Sequence, residues 1–329
     1  MARDSAPTAR ASAAEASRLP DKVEPPEIDV GRVRRRRNPL RLVGIAVVLL
    51  LLSMVAHMLV TQARFQWGVV GHYLFASPIL HGVVVTVYLT LAAEGIGIVI
   101  GIVVAVMRLS RSWILVRVAQ LYTWVFRSIP TLVQLLLWYN LAFLMPRVGL
   151  GIPYGPQFIS ASPNKFMTPL IAALLGLGIN EGAYMSEIVR AGLLSVNYGQ
   201  REAASALGLT EWQQFRKVIF PQAMRTIIPP TGNDLIAMLK YTSLASVISL
   251  TELLFSSQQI YEQNFEIIPL LMVASIWYLA MTTVASFGQY WVERYFGRGL
   301  AGPVKATRPR RSTRSTWREG LELLRRPLA

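Results

Sequence analysis

The chain has no cysteine at any of its 329 positions. That excludes disulfides, thiolate metal sites and a cysteine nucleophile. Only three histidines occur, scattered, so a zinc site has no ligand set to draw on. No GxxxxGK[ST] run is present, and the chain therefore has no Walker loop to cradle a nucleotide. Acid is also scarce: 18 Asp and Glu face 33 Lys and Arg, a net charge of +15. Missing too is the polar balance of a soluble domain, because 53% of residues are hydrophobic and the mean hydropathy is +0.41.

What the chain has instead is long apolar runs. A spanning helix needs about 20 largely apolar residues, and six candidate segments lie near 42–60, 79–107, 118–146, 168–190, 227–255 and 268–292. The 118–146 segment is interrupted by Arg127 and Pro130, which leaves its later part as the apolar portion. The fold class expected is an all-α integral membrane protein. The 42–60 run follows a basic stretch but exceeds a signal-peptide core, and no small-residue cleavage site follows it. It is expected to be a retained anchor.

Orientation follows from where Lys and Arg fall, since they accumulate on cytoplasmic connections. The N-terminal tail carries Arg32 and Arg34 through Arg37. The connection after the second span carries Arg108, Arg111 and Arg117, and the region after residue 200 carries Arg201, Arg216, Lys217 and Arg225. The C-terminal tail is also rich in Arg. The alternate connections hold only Arg64, then Arg147 and Lys165, then Glu252, Glu262 and Glu266 with no base. Six spans with both termini cytoplasmic satisfy this asymmetry. The charges hug membrane boundaries and have no folded soluble domain to organise them, which argues against nucleic-acid binding and for contact with anionic lipid headgroups. Tails 1–41 and 296–329 are expected to be disordered, with an amphipathic piece at 318–326.

Between the fourth and fifth spans lies a polar island, EAASALGLTEWQQFRKVIFP, at 202–221. Glu202, Ala203 and Ala204 are expected to open a short helix. Gly208 permits a turn that a β-carbon would strain, and Thr210 with Glu211 and Gln213 starts a second helix. Pro221 and Pro229 punctuate the return towards the membrane. The product is a rigid knuckle.

Other residues invite chemistry. Gly95, Gly97 and Gly101 have the wrong spacing and surroundings for a dinucleotide loop and fit close helix packing instead. Glu94 sits in mid-span, where a carboxylate usually faces the bundle interior or a wet cavity. It could meet a substrate amino group, or hydrogen-bond to another helix. Arg127 beside the Pro130 break could build a polar site at membrane depth, or extend to the cytoplasmic face. Gln134, Asn180, Glu181, Tyr184, Thr242 and Ser243 could line a pathway or join helices. Glu187 and Arg190, three apart on a helix, fit a structural ion pair.

The run Glu202, Ala203, Ala204, Gly208, Val218, Phe220 and Pro221 resembles the EAA loop of ABC importer permeases, with Phe220 where Leu is more usual. The polar amino-acid subgroup is resembled further by Ala183, Tyr184, Glu187, Arg190, Gly199 and Gln200. The Pro221, Gln222, Ala223 run, Lys240 with Thr242, Ser243 and Leu244, and the stretch Arg127 to Pro130 with Val133 and Gln134 add to the match. Tyr241 departs from the polar or acidic residue often found there. The resemblance covers residues 79–295 and implies a five-helix permease core, to which the first helix is an addition.

The resemblance also implies a permease of the bacterial inner membrane importing a polar amino acid by alternating access, not itself an enzyme. A second permease copy or sister chain, two ATPase subunits carrying ATP and Mg, and an extracytoplasmic solute-binding protein would complete the machine. The coupling loop at 199–221 would seat in the ATPase through Glu202, Ala203, Ala204, Gly208 and Pro221. The alternatives are an ABC permease for another small solute and, in a different class, an ion-coupled secondary transporter using Glu94 and Arg127. A membrane scaffold or sensor working through its basic tails leaves the polar spans without a purpose.

Overall fold

A computed structural model describes residues 39–145, 148–151, 157–162 and 166–296. Both basic tails, the 318–326 piece, Arg147 and Lys165 lie outside the described residues. The chain divides into two units, Met1–Thr61 and Gln62–Ala329. Of the first, the described part is one helix, α1 (Pro39–Thr61), apolar on all sides and buried on none within the chain. A helix apolar all round suits lipid.

The described residues of the second unit are helical apart from one hairpin. A 3₁₀ turn at Ala63–Phe65 precedes α2 (Trp67–Tyr73), and then come α3 (Ser77–Arg108), α4 (Trp113–Ser128), α5 (Thr131–Tyr139) and the single turn α6 (Leu141–Leu144). Strands β1 (Val148–Gly151) and β2 (Gln157–Ala161) pair antiparallel, with Val148 opposite Ala161. The all-α class holds, with this short hairpin as the one strand pair among the described residues. Gly149, Gly151, Pro153, Gly155 and Pro156 crowd the connection and disfavour helix there.

Next are α7 (Pro169–Leu194), α8 (Tyr198–Ala206), α9 (Glu211–Gln214), a π-helical turn Phe215–Ile219 and α10 (Phe220–Tyr241). A 3₁₀ stretch Thr242–Ile248, then α11 (Leu253–Asn264) and α12 (Ile267–Phe296), end the described chain.

Three described helices are long and apolar enough to cross a membrane: Leu42–Thr61 of α1, α3 and α12. The stretch Glu211–Ile248 and α11 together make a fourth, bent by 44°. Thus the candidate span at 227–255 is bent at a break. Ser249 adopts a left-handed conformation at φ 60°, and Glu252 starts a new helix by accepting from Leu254 and Phe255 N–H at 2.9 and 2.8 Å. The 118–146 segment is split into α4 and α5 at Ile129 and Pro130. The 168–190 segment is α7, which carries Asn180, Glu181, Glu187 and Arg190.

The expectation that Pro229 punctuates the chain is also corrected. α10 runs through both Pro229 and Pro230 without ending. Gln289 of α12 donates to the Pro229 carbonyl at 2.7 Å and so ties α12 to this turn of α10.

The core centres on α3 against α7, the most extensive helix pair among the described residues. Glycines set their separation. A β-carbon on Gly97 would meet Glu181 Cγ at 2.6 Å and one on Gly101 would meet Met185 Cβ at 2.6 Å; Gly178 and Gly182 face Ile96 and Ile100 in the same way. Small residues four apart on both helices let the backbones approach. Gly95 takes no part, since nothing lies within 4 Å of its missing β-carbon. Leu89, Leu135, Leu177, Met238 and Ile248 fill the middle of the bundle, and Ile79, Leu253 and Val273 fill one end.

Candidate functional site: the knuckle and the buried polar cluster

The knuckle is built almost wholly from local rules. Asn197 accepts from Gly199 N–H at 2.8 Å, so α8 begins at Tyr198. Glu202, Ala203 and Ala204 therefore lie inside the helix instead of opening it, because the cap sits further upstream. Gly208 closes α8 at φ +71°, with its N–H on the Ser205 carbonyl (2.9 Å) and that of Leu209 on the Ala204 carbonyl (3.2 Å). This is a Schellman ending, whose left-handed residue is usually glycine.

Thr210 then caps α9 reciprocally with Gln213. Its N–H donates to Gln213 Oε1 at 3.1 Å, and its Oγ1 accepts from Gln213 N–H at 3.4 Å. Gln214 Nε2 bonds the Leu209 carbonyl and Ser205 Oγ at 2.8 and 3.1 Å. The turn is thus tied on both sides.

Glu202 and Ala203 face outward, whereas Ala204 is buried against the chain itself. Pro221 is exposed at the start of α10, just after the π-helical turn. Leu207 and Trp212 protrude, 80% and 67% exposed, with the Trp212 ring stacked on Phe215. The base is fixed by Val196, Ile219 and Ala223, packed with Met185 and Ile227.

Beside the base of the knuckle lies an ionic hub centred on Glu187. Its Oε2 accepts from Arg190 Nη2 at 2.9 Å and Nε at 3.1 Å. Its Oε1 pairs with Arg108 at the end of α3, and Arg127 Nη1 stands 3.9 Å away. Arg127 also rests over the Tyr184 ring, 5.0 Å from its centroid. In the sequence Arg108 is only a marker of orientation, because nothing local ties it to a residue so distant in the chain.

The polar residues in mid-bundle divide into two groups. In the first, side chains serve other helices. Pro130 has no N–H for the Phe126 carbonyl four residues before it; Gln134 Nε2 and Asn180 Nδ2 each donate to that oxygen at 2.8 Å. Gln134 also reaches the Ile129 carbonyl at 2.7 Å, and Thr131 Oγ1 donates to Asn180 Oδ1 at 3.3 Å. Thr242 and Ser243 turn their hydroxyls back to the Leu239 and Lys240 carbonyls at 2.8 and 2.7 Å.

The second group is acidic. Glu94 and Glu181 are 4% and 5% exposed, and neither Glu94 oxygen has a partner; Glu181 Oε1 also lacks one. The Glu181 carboxyl lies within hydrogen-bonding reach of Asp234 on α10. Asp234 is the member that sequence reasoning missed. It is an acid inside the candidate span 227–255, the same signal that marked Glu94. Glu94 borders a cavity of about 570 Å³ with Thr231, Gly232 and Gln289. No group of three or more acidic or histidine residues converges as a metal site among the described residues.

Residues 97–298 match the family described as the binding-protein-dependent transport system inner membrane component. The chain belongs to that family. This permease is 41% identical over 271 residues to the arginine transport system permease protein ArgU of Corynebacterium glutamicum, an alignment covering 82% of this chain and 84% of ArgU. It is 34% identical to the glutamine transport system permease protein GlnP of Escherichia coli K12, covering 68% of this chain and 94% of GlnP. Among solved structures, an amino acid ABC transporter with histidines aligns at TM-score 0.57 and 34% identity, covering 67% of this permease and 95% of that chain. The MetNI methionine ABC transporter, in inward-facing conformations, shares the fold at TM-score 0.51 and 21% identity, covering 66% of this permease and 95% of that chain.

Proposed function

We propose that this permease is the membrane-spanning subunit of an ATP-driven importer for polar amino acids, and that 199–221 couples it to separate ATPase subunits. The observation that carries this is the knuckle. It is fixed at its base, closed by Gly208 and a reciprocal cap, and presents Glu202, Leu207 and Trp212 outward. A rigid projection with protruding apolar side chains is suited to enter a groove in another protein and to transmit its movement. The substrates named for ArgU, GlnP and the histidine-bound transporter support the amino-acid class.

The chain performs no covalent step in this reading. The ATPases hold ATP and Mg, a second permease copy or sister chain completes the pathway, and a solute-binding protein delivers substrate from outside. Closure of the ATPases moves the knuckle, and α7 and α10, which flank it, carry the movement into the bundle. Substrate then passes as the populations of inward-open and outward-open forms shift. In this reading both termini and the knuckle lie in the cytoplasm, which the basic connections support, and the six spans include α4 with α5 and α7. Glu202, Ala203, Gly208 and Pro221 touch or shape the ATPase contact, and Ala204 acts from beneath it.

The test is co-purification from mild detergent followed by uptake into proteoliposomes. The wild type is expected to bring an ATPase with it and to take up amino acid only with ATP. Loss of the ATPase and of uptake in Gly208→Arg, with insertion retained, supports coupling through the knuckle. Normal ATP-dependent uptake by that variant overturns it.

A further inference from the structure

We propose that the cleft between the ends of α10 and α12, on the side of the bundle that carries the knuckle, binds the phosphate headgroup of an anionic phospholipid. This needs only the membrane-spanning fold and stands whatever solute is carried. The two helices pack together, and Gln289 joins them through the Pro229 carbonyl. Between that tie and the knuckle they enclose a cavity of about 630 Å³, lined by Phe220, Met224, Arg225, Ile228, Tyr295 and Phe296. That volume suits a headgroup with its glycerol.

Arg225 is the charged residue of this cavity, and its side chain is exposed. Among the described residues it makes no ion pair, since all ion pairs there centre on Glu187. The carboxylate at this end of α12 belongs to Glu293, which Gln289 Nε2 engages at 3.0 Å. Positive charge prevails around it. Arg216 and Lys217 stand in the π-helical turn just before α10, and Arg294 follows Glu293 with its guanidinium 5.9 Å from the Trp291 ring centroid. Such a field selects an anion.

The surroundings select a lipid among anions. A guanidinium offers paired N–H donors to phosphate oxygens, and Tyr295 brings a hydroxyl to the same cavity. Phe220, Met224, Ile228 and Phe296 offer nothing to inorganic phosphate but suit glycerol esters and the first methylenes of acyl chains. Trp291 and Phe287 lie four and eight residues before Tyr295, on one stripe of α12, and are 55% and 66% exposed. They continue the apolar surface along the helix. Aromatic residues and basic pockets at the ends of spanning helices are where headgroups of the anionic cytoplasmic leaflet collect. A zwitterionic headgroup carries the same phosphate but adds a cation, which the neighbouring bases repel. An acidic patch on the ATPase fits less well, because Arg225 lies five residues into α10, about 7–8 Å along its axis from the knuckle.

The experiment counts lipids on the full chain. The permease is purified monodisperse in a mild non-ionic detergent, and phosphatidylglycerol or phosphatidylcholine with identical acyl chains is titrated in. Native mass spectrometry follows the first lipid bound. The wild type is expected to bind phosphatidylglycerol about fivefold more tightly, the upper end for an exposed ion pair. Arg225→Gln is expected to remove that preference, and Arg225→Lys to keep part of it. Met224→Trp fills the cavity while leaving Arg225 in place, and is expected to weaken binding of phosphatidylglycerol. Arg117, an exposed base on α4 outside the cavity, is the control. Arg117→Gln is expected to leave the preference unchanged, and glycerol phosphate, a headgroup without chains, is expected not to compete.

Equal binding of the two lipids by the wild type overturns the assignment. So does a loss in Arg117→Gln as large as that in Arg225→Gln, which marks diffuse attraction to the whole basic face. Full competition by glycerol phosphate marks a site for free anions and removes the lipid as occupant. If Arg225→Gln keeps the preference for phosphatidylglycerol but no longer brings the ATPase through co-purification, Arg225 belongs to the ATPase contact and the lipid site is overturned.

Discussion

Asn180 Nδ2 stands 2.8 Å from the Phe126 carbonyl, the acceptor that Pro130 leaves without its helical donor. The proline break between α4 and α5 is therefore repaired from another helix. Gln134 donates to the same oxygen, so the repair is doubled. Asn180→Leu is expected to lower stability by about 1 kcal/mol, the usual worth of one buried hydrogen bond. In a Pro130→Ala background the same change is expected to cost less, because the substituted alanine can supply the missing N–H. A double-mutant cycle on unfolding midpoints in detergent measures this coupling. Equal costs in the two backgrounds would show that Asn180 is held by something other than the break.

Gly208 makes a different kind of prediction. No atom lies within 4 Å of the β-carbon it lacks, yet its φ is +71°. The restriction is conformational and not spatial. Gly208→Ala is expected to cost about 1–2 kcal/mol locally, Gly208→Asn less and Gly208→Val more, following left-handed preference. ATPase co-purification is expected to fall in the order Asn, Ala, Val. If Asn, larger than Ala, is the worse of the two, a clash with the partner governs the site and the backbone does not.

The ionic hub is asymmetric, and that asymmetry is measurable. Glu187 faces Arg108, Arg127 and Arg190, whereas Arg190 has Glu187 as its ion-pair partner. Glu187→Gln leaves three cations together; Arg190→Gln leaves the carboxylate still paired. The acid is about a quarter exposed, so solvent weakens each contact. Glu187→Gln is expected to cost about 1–2 kcal/mol and Arg190→Gln about 0.5 kcal/mol. Thermal midpoints at low and high salt test this, and salt is expected to narrow the difference by screening the exposed pairs.

How much of this is legible in the sequence depends on range. The knuckle is, because Gly208, Thr210 and Gln213 act on neighbours within a few residues and their chemistry is that of turns and caps. Its helix start is misplaced only because the cap, Asn197, lies further upstream than the polar island. The hub is half legible: Glu187 and Arg190 share one helix face, but Arg108 arrives from another helix. Asp234 escapes for a similar reason, since only the packing of α10 against α7 brings it to Glu181. The break at Ser249 is hidden because Thr242–Ile248 is apolar enough to continue a span, and Glu252 ends that run only by capping the next helix.

The glycines of α3 provide the sharpest contrast. Gly95 and Gly97 are two residues apart on one helix, and composition cannot tell them apart. Gly97 lies against Glu181, where a β-carbon would come within 2.6 Å of Cγ, while Gly95 faces open space. Gly95→Ala is expected to be neutral, or slightly stabilising through better helix propensity. Gly97→Leu has to push α7 away, and overpacking of this kind costs about 1–3 kcal/mol or more. The check is monodisperse yield on size exclusion together with the thermal midpoint. Gly95→Ala is expected to match the wild type and Gly97→Leu to lose most of the folded peak. Equal behaviour of the two would mean that α3 and α7 are not held at the separation their glycines permit.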